Sequence, residues 1–316
     1  MARDDCGVAP RPADEHPHPP VGDGWSETWS FDLASADGEL GAWVAFTRFA
    51  DHAWYQAMLT GPRRQLLAVL DHHVPFRSNP LEVRTTGLWA DHICETPLDH
   101  WTLGLETFAL GVDDPLELHG RQHGDTVALG FDLEWETDGP VLEPSQQAGV
   151  RGYELACRVH GEVLVGREVI DFEGVGTRAH RWGPIDWAAD EGWHLSGVVE
   201  GPTHWSVDHR GGVTTVVRVG AELDVQELRG SAELVVDDDG LPRSARVLAG
   251  DGSLLAEVLA VTPVPIDVDG ISVRRPRALC RLRSGAGWTG VGWLEVRGDP
   301  AGIAIPAGSS DQRPLS

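Results

Sequence analysis

In Trp25-Ser-Glu-Thr-Trp29-Ser-Phe31-Asp-Leu33 the large apolar residues Trp25, Trp29, Phe31 and Leu33 recur at even spacings, so an extended chain carries all four on one face. Ala36-Asp37-Gly38 breaks the pattern, and Leu40, Ala42, Val44 and Phe46 resume it, alternating with Trp43 and Ala45. Trp54, Gln56 and Met58 follow, Gly61-Pro62 turns the chain, and Gln65 to Val74 returns. The same rhythm runs through 85–95, 101–110, 126–136, 153–160 and 162–172. With shorter spacing it continues through 193–200, 204–209, 213–219, 232–236, 243–248, 254–261, 277–282 and 288–296. Asp-Gly pairs at Asp138-Gly139, Asp239-Gly240, Asp251-Gly252 and Asp269-Gly270 supply hairpin chemistry. No segment keeps a 3.6-residue apolar stripe, although Asp113–His119 can start a short helix. Strands this frequent predict an all-β chain of two antiparallel barrel or sandwich domains packed side by side.

The domain expectation is a disordered or draped arm over 1–22, an N-terminal β domain over 23–190, a C-terminal β domain over 191–305 and a tail over 306–316. The arm carries five prolines, with His16 and His18, and no apolar pattern. At 316 residues the chain is long enough for two cores.

A formal charge of −24 disfavours nucleic-acid and anionic-membrane partners. Every basic residue is Arg, so Schiff-base, pyridoxal-anchor and P-loop lysines are excluded. Cys6, Cys94, Cys157 and Cys280 form no CxxC pair, and no apolar run approaches a membrane span. A cytoplasmic protein without integral membrane association is expected. No GxGxxG joins a strand to a helix, and Gly174-Val175-Gly176 reads as a bend between strands. The fourteen histidines, among them His72-His73, His119, His123, His160, His194, His204 and His209, show no metal-site spacing, so neither cofactor nor metal is expected.

Thirteen tryptophans stand beside two tyrosines and seven phenylalanines, enough indoles to fill cores and also line a cavity. Two constellations concentrate them. Trp89-Ala-Asp91-His92-Ile-Cys94-Glu95 leads to Trp101 and Glu106; alternation puts Asp91 and Glu95 on one strand face, His92 and Cys94 on the other. Gly176-Thr-Arg178-Ala-His180-Arg181-Trp182-Gly-Pro-Ile-Asp186-Trp187 reads as a structured loop between the two halves. It is either an active site, with His180 held by a carboxylate, or a plug in which Arg178 or Arg181 pairs with Asp186.

The His180-Arg-Trp182-Gly-Pro-Ile-Asp186-Trp187 stretch resembles the motif of carotenoid hydratase (hydroxyneurosporene synthase)-like proteins. That superfamily includes lipocalin-type Diels–Alderases and actinobacterial members. Trp25–Trp29, Asp91-His92 with Glu95, and Gly-Trp-Thr-Gly-Val-Gly-Trp-Leu-Glu295 support the likeness. Ala179 stands where better-known members carry an acid. The resemblance implies two lipocalin-like barrels with a cavity in or between them. It also implies cofactor-independent hydration, cyclisation or isomerisation of an unsaturated, isoprenoid-like small molecule. Asp91, Glu95 or Asp186 is the expected acid, kept protonated by desolvation, and His180 the relay. Trp89, His92, Trp101, Glu106, Trp182 and Trp187 are the expected substrate contacts. The alternatives are a carrier of a lipid, sterol or pigment, a pericyclic cyclase of a polyketide, and an interaction scaffold.

Overall fold

The alternation seen around Trp25 becomes β1 (Trp25–Ser35) in the computed structural model, which describes residues 10–119, 124–143, 149–200, 203–268, 270–298 and 305–306. Strands β2 (Gly41–Arg48), β3 (Ala53–Gly61) and β4 (Arg64–Val74) meander from it. The hairpin of β5 (Glu82–Thr85) and β6 (Leu88–Thr96) follows, then β7 (His100–Val112), β8 (Asp125–Thr137), β9 (Arg151–Val165) and β10 (Glu168–Pro184). Pairing of β1 with β10 and of β4 with β7 closes eight of these strands into a barrel. A short 3-10 turn, Pro115–His119, stands where the sequence allows a helix.

The second barrel repeats the plan. Strands β11 (Gly192–Val199), β12 (Thr203–Arg210), β13 (Val213–Val219), β14 (Val225–Val236), β15 (Pro242–Ala249) and β16 (Gly252–Thr262) precede a hairpin of β17 (Pro265–Val268) and β18 (Ile271–Arg274). Then β19 (Arg277–Ser284) and β20 (Thr289–Arg297) return, and β11–β20 and β13–β14 pairings close it. The short β21 (Ile305–Pro306) runs parallel to β14. The expected all-β chain of antiparallel barrels is what folds.

Inward residues of the first barrel are large: Trp29, Phe31, Phe46, Tyr55, Trp101, Trp135 and Tyr153 are all buried together. Trp193, Leu195, Val207, Leu282 and Leu294 fill the second. A third apolar cluster lies between the barrels, where Trp43, Trp54 and Met58 meet Leu279 and Trp293. Strand β3 is therefore buried along its whole length, one face in the barrel and the other under its neighbour.

Three expectations need correction. The Gly176–Pro184 stretch is strand, not loop: it is the end of β10, whose polar residues find partners because both faces are enclosed. Gly174 and Gly176 make no bend; a Cβ on Gly176 would collide with the carbonyl of Asp32, so glycine here permits close approach of β1 and β10. The arm is ordered from Pro10: Pro12–Glu15 forms a 3-10 turn that buries Asp14 and Glu15. Glu15 accepts bonds from Arg178 Nη1 at 2.8 Å, Trp101 Nε1 at 2.8 Å and Leu98 N at 3.0 Å, so one carboxylate ties the apolar-poor segment into the barrel. Residues 1–9 with Cys6, His123 and the tail after 306 lie outside the described residues.

Candidate functional site

The register of β1 opens next to the second barrel. Its pairing with β10 runs from Trp25 opposite Pro184 to Phe31 opposite Arg178, then resumes at Ala34 opposite Val175. Within this gap the carbonyls of Asp32 and Leu33 accept the indole N–H groups of Trp135 and Trp293, both at 2.9 Å. The Thr177 N–H, which would otherwise serve the ladder, donates to Asp32 Oδ1 at 2.7 Å. Alternation thus turns Trp29, Phe31 and Leu33 inward and leaves the Asp32 side chain facing the other barrel.

There it borders a cleft of about 170 Å³ between the barrels. Trp43, Trp187 and Trp293 are its aromatic walls. Their indoles are fixed by Thr262 Oγ1 at 2.9 Å, Ser26 Oγ at 3.2 Å and the Leu33 carbonyl. The Arg277 guanidinium lies 4.9 Å from the Trp43 ring centre, and that of Arg275 4.7 Å from Trp187.

Two carboxylates give the cleft its chemistry. Burial raises the Asp32 carboxyl to about 6, against the opposing pull of Arg277, whose Nη2 is 3.4 Å away, and of the Thr177 N–H. Asp32 thus keeps its proton to a higher pH than an ordinary aspartate. Glu154, on β9, is also buried, but His194 and His204 outweigh that burial and hold it ionised. His194 Nε2 stands 2.8 Å from Glu154, and Ser196 Oγ donates to it at 2.9 Å. Burial alone would lower His194; the Glu154 carboxylate reverses this and raises it above its ordinary value. Ser196 Oγ also meets Thr177 Oγ1 at 2.9 Å, which joins the Glu154 cluster to the strand that holds Asp32.

Arginines surround these groups. Arg297 donates to Asp208 at 2.7 Å, Arg210 to Asp190 at 2.8 Å and Arg275 to Glu295 at 2.9 Å.

Of the residues singled out from sequence, His180, Arg181 and Trp187 line this cleft. His180 is buried on the inward face of β10, with Nε2 3.0 Å from Glu27 and Nδ1 3.3 Å from the Tyr153 hydroxyl. Glu27 also takes His18 at 2.7 Å and Arg48 at 3.2 Å, a cluster capped by stacking of His18 on Trp182 at 4.1 Å. Three donor groups there, on His18, Glu27 and His180, lie within 4.8 Å of one another. The Glu27 oxygens already accept from the His18 N–H, both rings and Arg48, so the cluster satisfies itself.

The remaining sequence candidates stand elsewhere. Trp89, Asp91 and Glu95 share the outer face of β6, with Glu106 opposite Trp89 on β7. Glu95 and Glu106 are exposed, and Asp91 is half-buried beside Asn79. His92 points the other way into the barrel core, where burial lowers it to about 4. Trp101 is the buried partner of Glu15. Asp186 is exposed and accepts from the N–H groups of Ala188 and Ala189, pairing with neither Arg178 nor Arg181, whose carboxylates are Glu15 and Asp190.

The cleft residues Asp32, Glu154, Asp208, Arg275, Arg277 and Arg297 escaped the sequence reading, and His194 entered it only as one of the histidines without metal-site spacing. Apart from Arg275, which lies between β18 and β19, these residues sit within strands. The available signal was a charge on what looks like the solvent face of a strand; only the second barrel turns that face into an interior.

A family model described as "Domain of unknown function (DUF7064)" matches residues 11–300. The chain belongs to this family. No curated protein matches it in sequence. Among solved structures, this DUF7064 chain is similar to a protein of Nitrosomonas europaea assigned as AttH, with TM-score 0.65 and 14% identity over 94% of this chain and 98% of that one. It is also similar to kievitone hydratase from Nectria haematococca, with TM-score 0.54 and 11% identity over 86% and 88% of the two chains. CghA crystallised with Sch210972 gives TM-score 0.52 and 12% identity over 88% and 89%. At these identities the shared property is the two-barrel fold. No helix among the described residues is long and apolar enough to cross a membrane.

Proposed function

We propose that this DUF7064 protein is an acid–base enzyme that hydrates, cyclises or isomerises an unsaturated, largely apolar small molecule in the cleft between its barrels. One observation carries the reading: a buried carboxyl, Asp32, borders the cleft and holds its proton up to about 6. The occurrence of a hydratase on the same fold supports the class of chemistry. Asp32 gives its proton to an alkene carbon, and the indoles of Trp43 and Trp293 face the cation that develops. In hydration, water adds to that cation and returns a proton to Asp32. In isomerisation or cyclisation, a neighbouring C–H returns it instead. Either way the carboxyl is restored. The Glu154–His194 pair fixes Ser196 and, through it, Thr177, keeping the donor strand in place. His180 is a positioning residue, since its ring nitrogens are held by Glu27 and Tyr153.

The test is incubation with a panel of apolar polyenes and prenylated phenols in deuterated water, followed by mass spectrometry. Wild-type protein is expected to yield products heavier by one water, or isomers carrying solvent deuterium on carbon. Asp32→Asn should bind the same compound and turn it over about 100-fold more slowly or worse. A protein that binds but leaves every compound unchanged is a carrier, and the proposal fails.

A further inference from the structure

The whole chain carries 25 basic residues against 49 acidic ones, yet the cleft reverses this balance. Six arginines line it, Arg151, Arg181, Arg210, Arg275, Arg277 and Arg297, against four carboxylates, Asp32, Glu154, Asp208 and Glu295. One of those carboxylates, Glu154, is already matched by His194. Asp190, just behind the lining, serves Arg181, Arg210 and Arg275 together, so six guanidiniums and the His194 ring face five carboxylates. Concentrating arginine in a buried place is costly without an anion to complement it.

The guanidinium edges point the same way. Arg277 gives a terminal nitrogen to Asp32, and Arg297 gives one to Asp208. The Nε–H of each is buried and has no acceptor among the described residues. In each, the terminal nitrogen on the Nε edge is already on a carboxylate, so what stays open is a single N–H donor for an oxyanion oxygen. Beside Arg277 stands Trp293, whose ring centre is 5.9 Å from its guanidinium, an apolar surface for the body of the same molecule.

We infer that the substrate bears an anionic oxygen group, a carboxylate or an acidic enol, seated against Arg277 and Arg297, with its unsaturated apolar portion on the Trp43 and Trp293 faces. This rests on the cleft being the substrate site. It also assigns Arg277 a role in specificity. An anion on Arg277 offsets the charge that pulls the proton off Asp32, so binding the correct substrate keeps the donor loaded.

The test uses two fluorescent probes with one skeleton, anilinonaphthalene sulfonate and neutral N-phenylnaphthylamine, titrated into the full-length protein with Trp43→Phe and Trp293→Phe as cleft markers. The sulfonate is expected to bind at one site about tenfold more tightly than the amine, and to weaken as salt is raised. Arg277→Gln should weaken the sulfonate about tenfold more than it weakens the amine. Should Arg277→Gln fail to fold, the exposed cleft-edge substitution Arg151→Gln, together with the salt dependence, carries the test: the preference must shrink with each. Equal binding of both probes in the cleft, at all salt concentrations, overturns the anionic substrate and leaves the proposed function standing. Failure of both probes to respond to the tryptophan substitutions overturns both.

Discussion

The carboxylate of Asp32 in the first barrel and the guanidinium of Arg277 in the second stand 3.4 Å apart across the cleft. In water such a pair would keep the acid ionised. Here burial opposes ionisation more strongly than Arg277 and the Thr177 N–H favour it, and the carboxyl rises to about 6 from an ordinary 3.8. Packing of one barrel against the other is therefore what raises the Asp32 carboxyl, and the two folding units share one chemical group.

This has a measurable cost. A carboxyl raised in the folded state is neutral in both states below 3.8, and above that the unfolded chain ionises first. Its contribution to stability therefore falls as pH rises from 3.8 to about 6 and stays low beyond. The stability of Asp32→Asn relative to wild type should improve by about 3 kcal/mol between acidic and mildly alkaline pH. Urea denaturation at about pH 4 and about pH 8 checks this, and a pH-independent difference contradicts it.

Glu154 and His194 behave oppositely. His194 is raised above its ordinary 6.5, so its pairing stabilises the fold fully below 6.5, and the benefit is lost as pH climbs through the raised value. The advantage of wild type over His194→Gln in thermal melting should be largest near pH 6 and shrink toward about pH 9. Growth of that advantage with pH would refute the pairing.

The arm supplies a third prediction. Arg178 is buried, and Glu15 is its carboxylate partner. Glu15→Gln leaves a guanidinium enclosed without a counter-charge, for an expected loss of about 3–5 kcal/mol and earlier proteolysis near residues 10–22. The double substitution Glu15→Met with Arg178→Met should recover most of that loss, since both charges leave together. No recovery would mean that the arm is held by something other than this pair.

Much of the fold was legible because period two is a local property: Trp29, Phe31 and Leu33 announce a strand face without reference to anything distant. The same logic put Asp91 and Glu95 together on one face, but could not say that this face of β6 looks outward. The site was harder. Asp32 reads as the polar side of a half-exposed strand, and nothing within β1 reveals that β11, β19 and β20 will cover it. The His180 motif drew attention to the right strand, since β10 carries His180 inward and Thr177 toward the cleft, but its acid partners come from Glu27 and Glu15, far away in sequence. The arm failed for a related reason. Its lack of apolar pattern is real, and its order comes from single polar contacts.

Gly176 tests the notch in β1 that presents Asp32. A Cβ there would press on the Asp32 carbonyl and stand 2.9 Å from Val159 Cγ2. Gly176→Ala should destabilise the fold by about 1–3 kcal/mol and lower cleft ligand affinity, because β1 must shift. Unchanged stability and affinity would show that the close approach of β1 and β10 is dispensable.

Carbon-13 NMR of side-chain carboxyls, with Asp32→Asn to assign the resonance, reads the proton on Asp32 without any substrate. A titration midpoint near 6 is the result that makes this residue the acid of the interbarrel cleft. A midpoint at or below the ordinary 3.8 would mean that Asp32 is a permanent anion paired with Arg277, and the proposed proton donor would be lost.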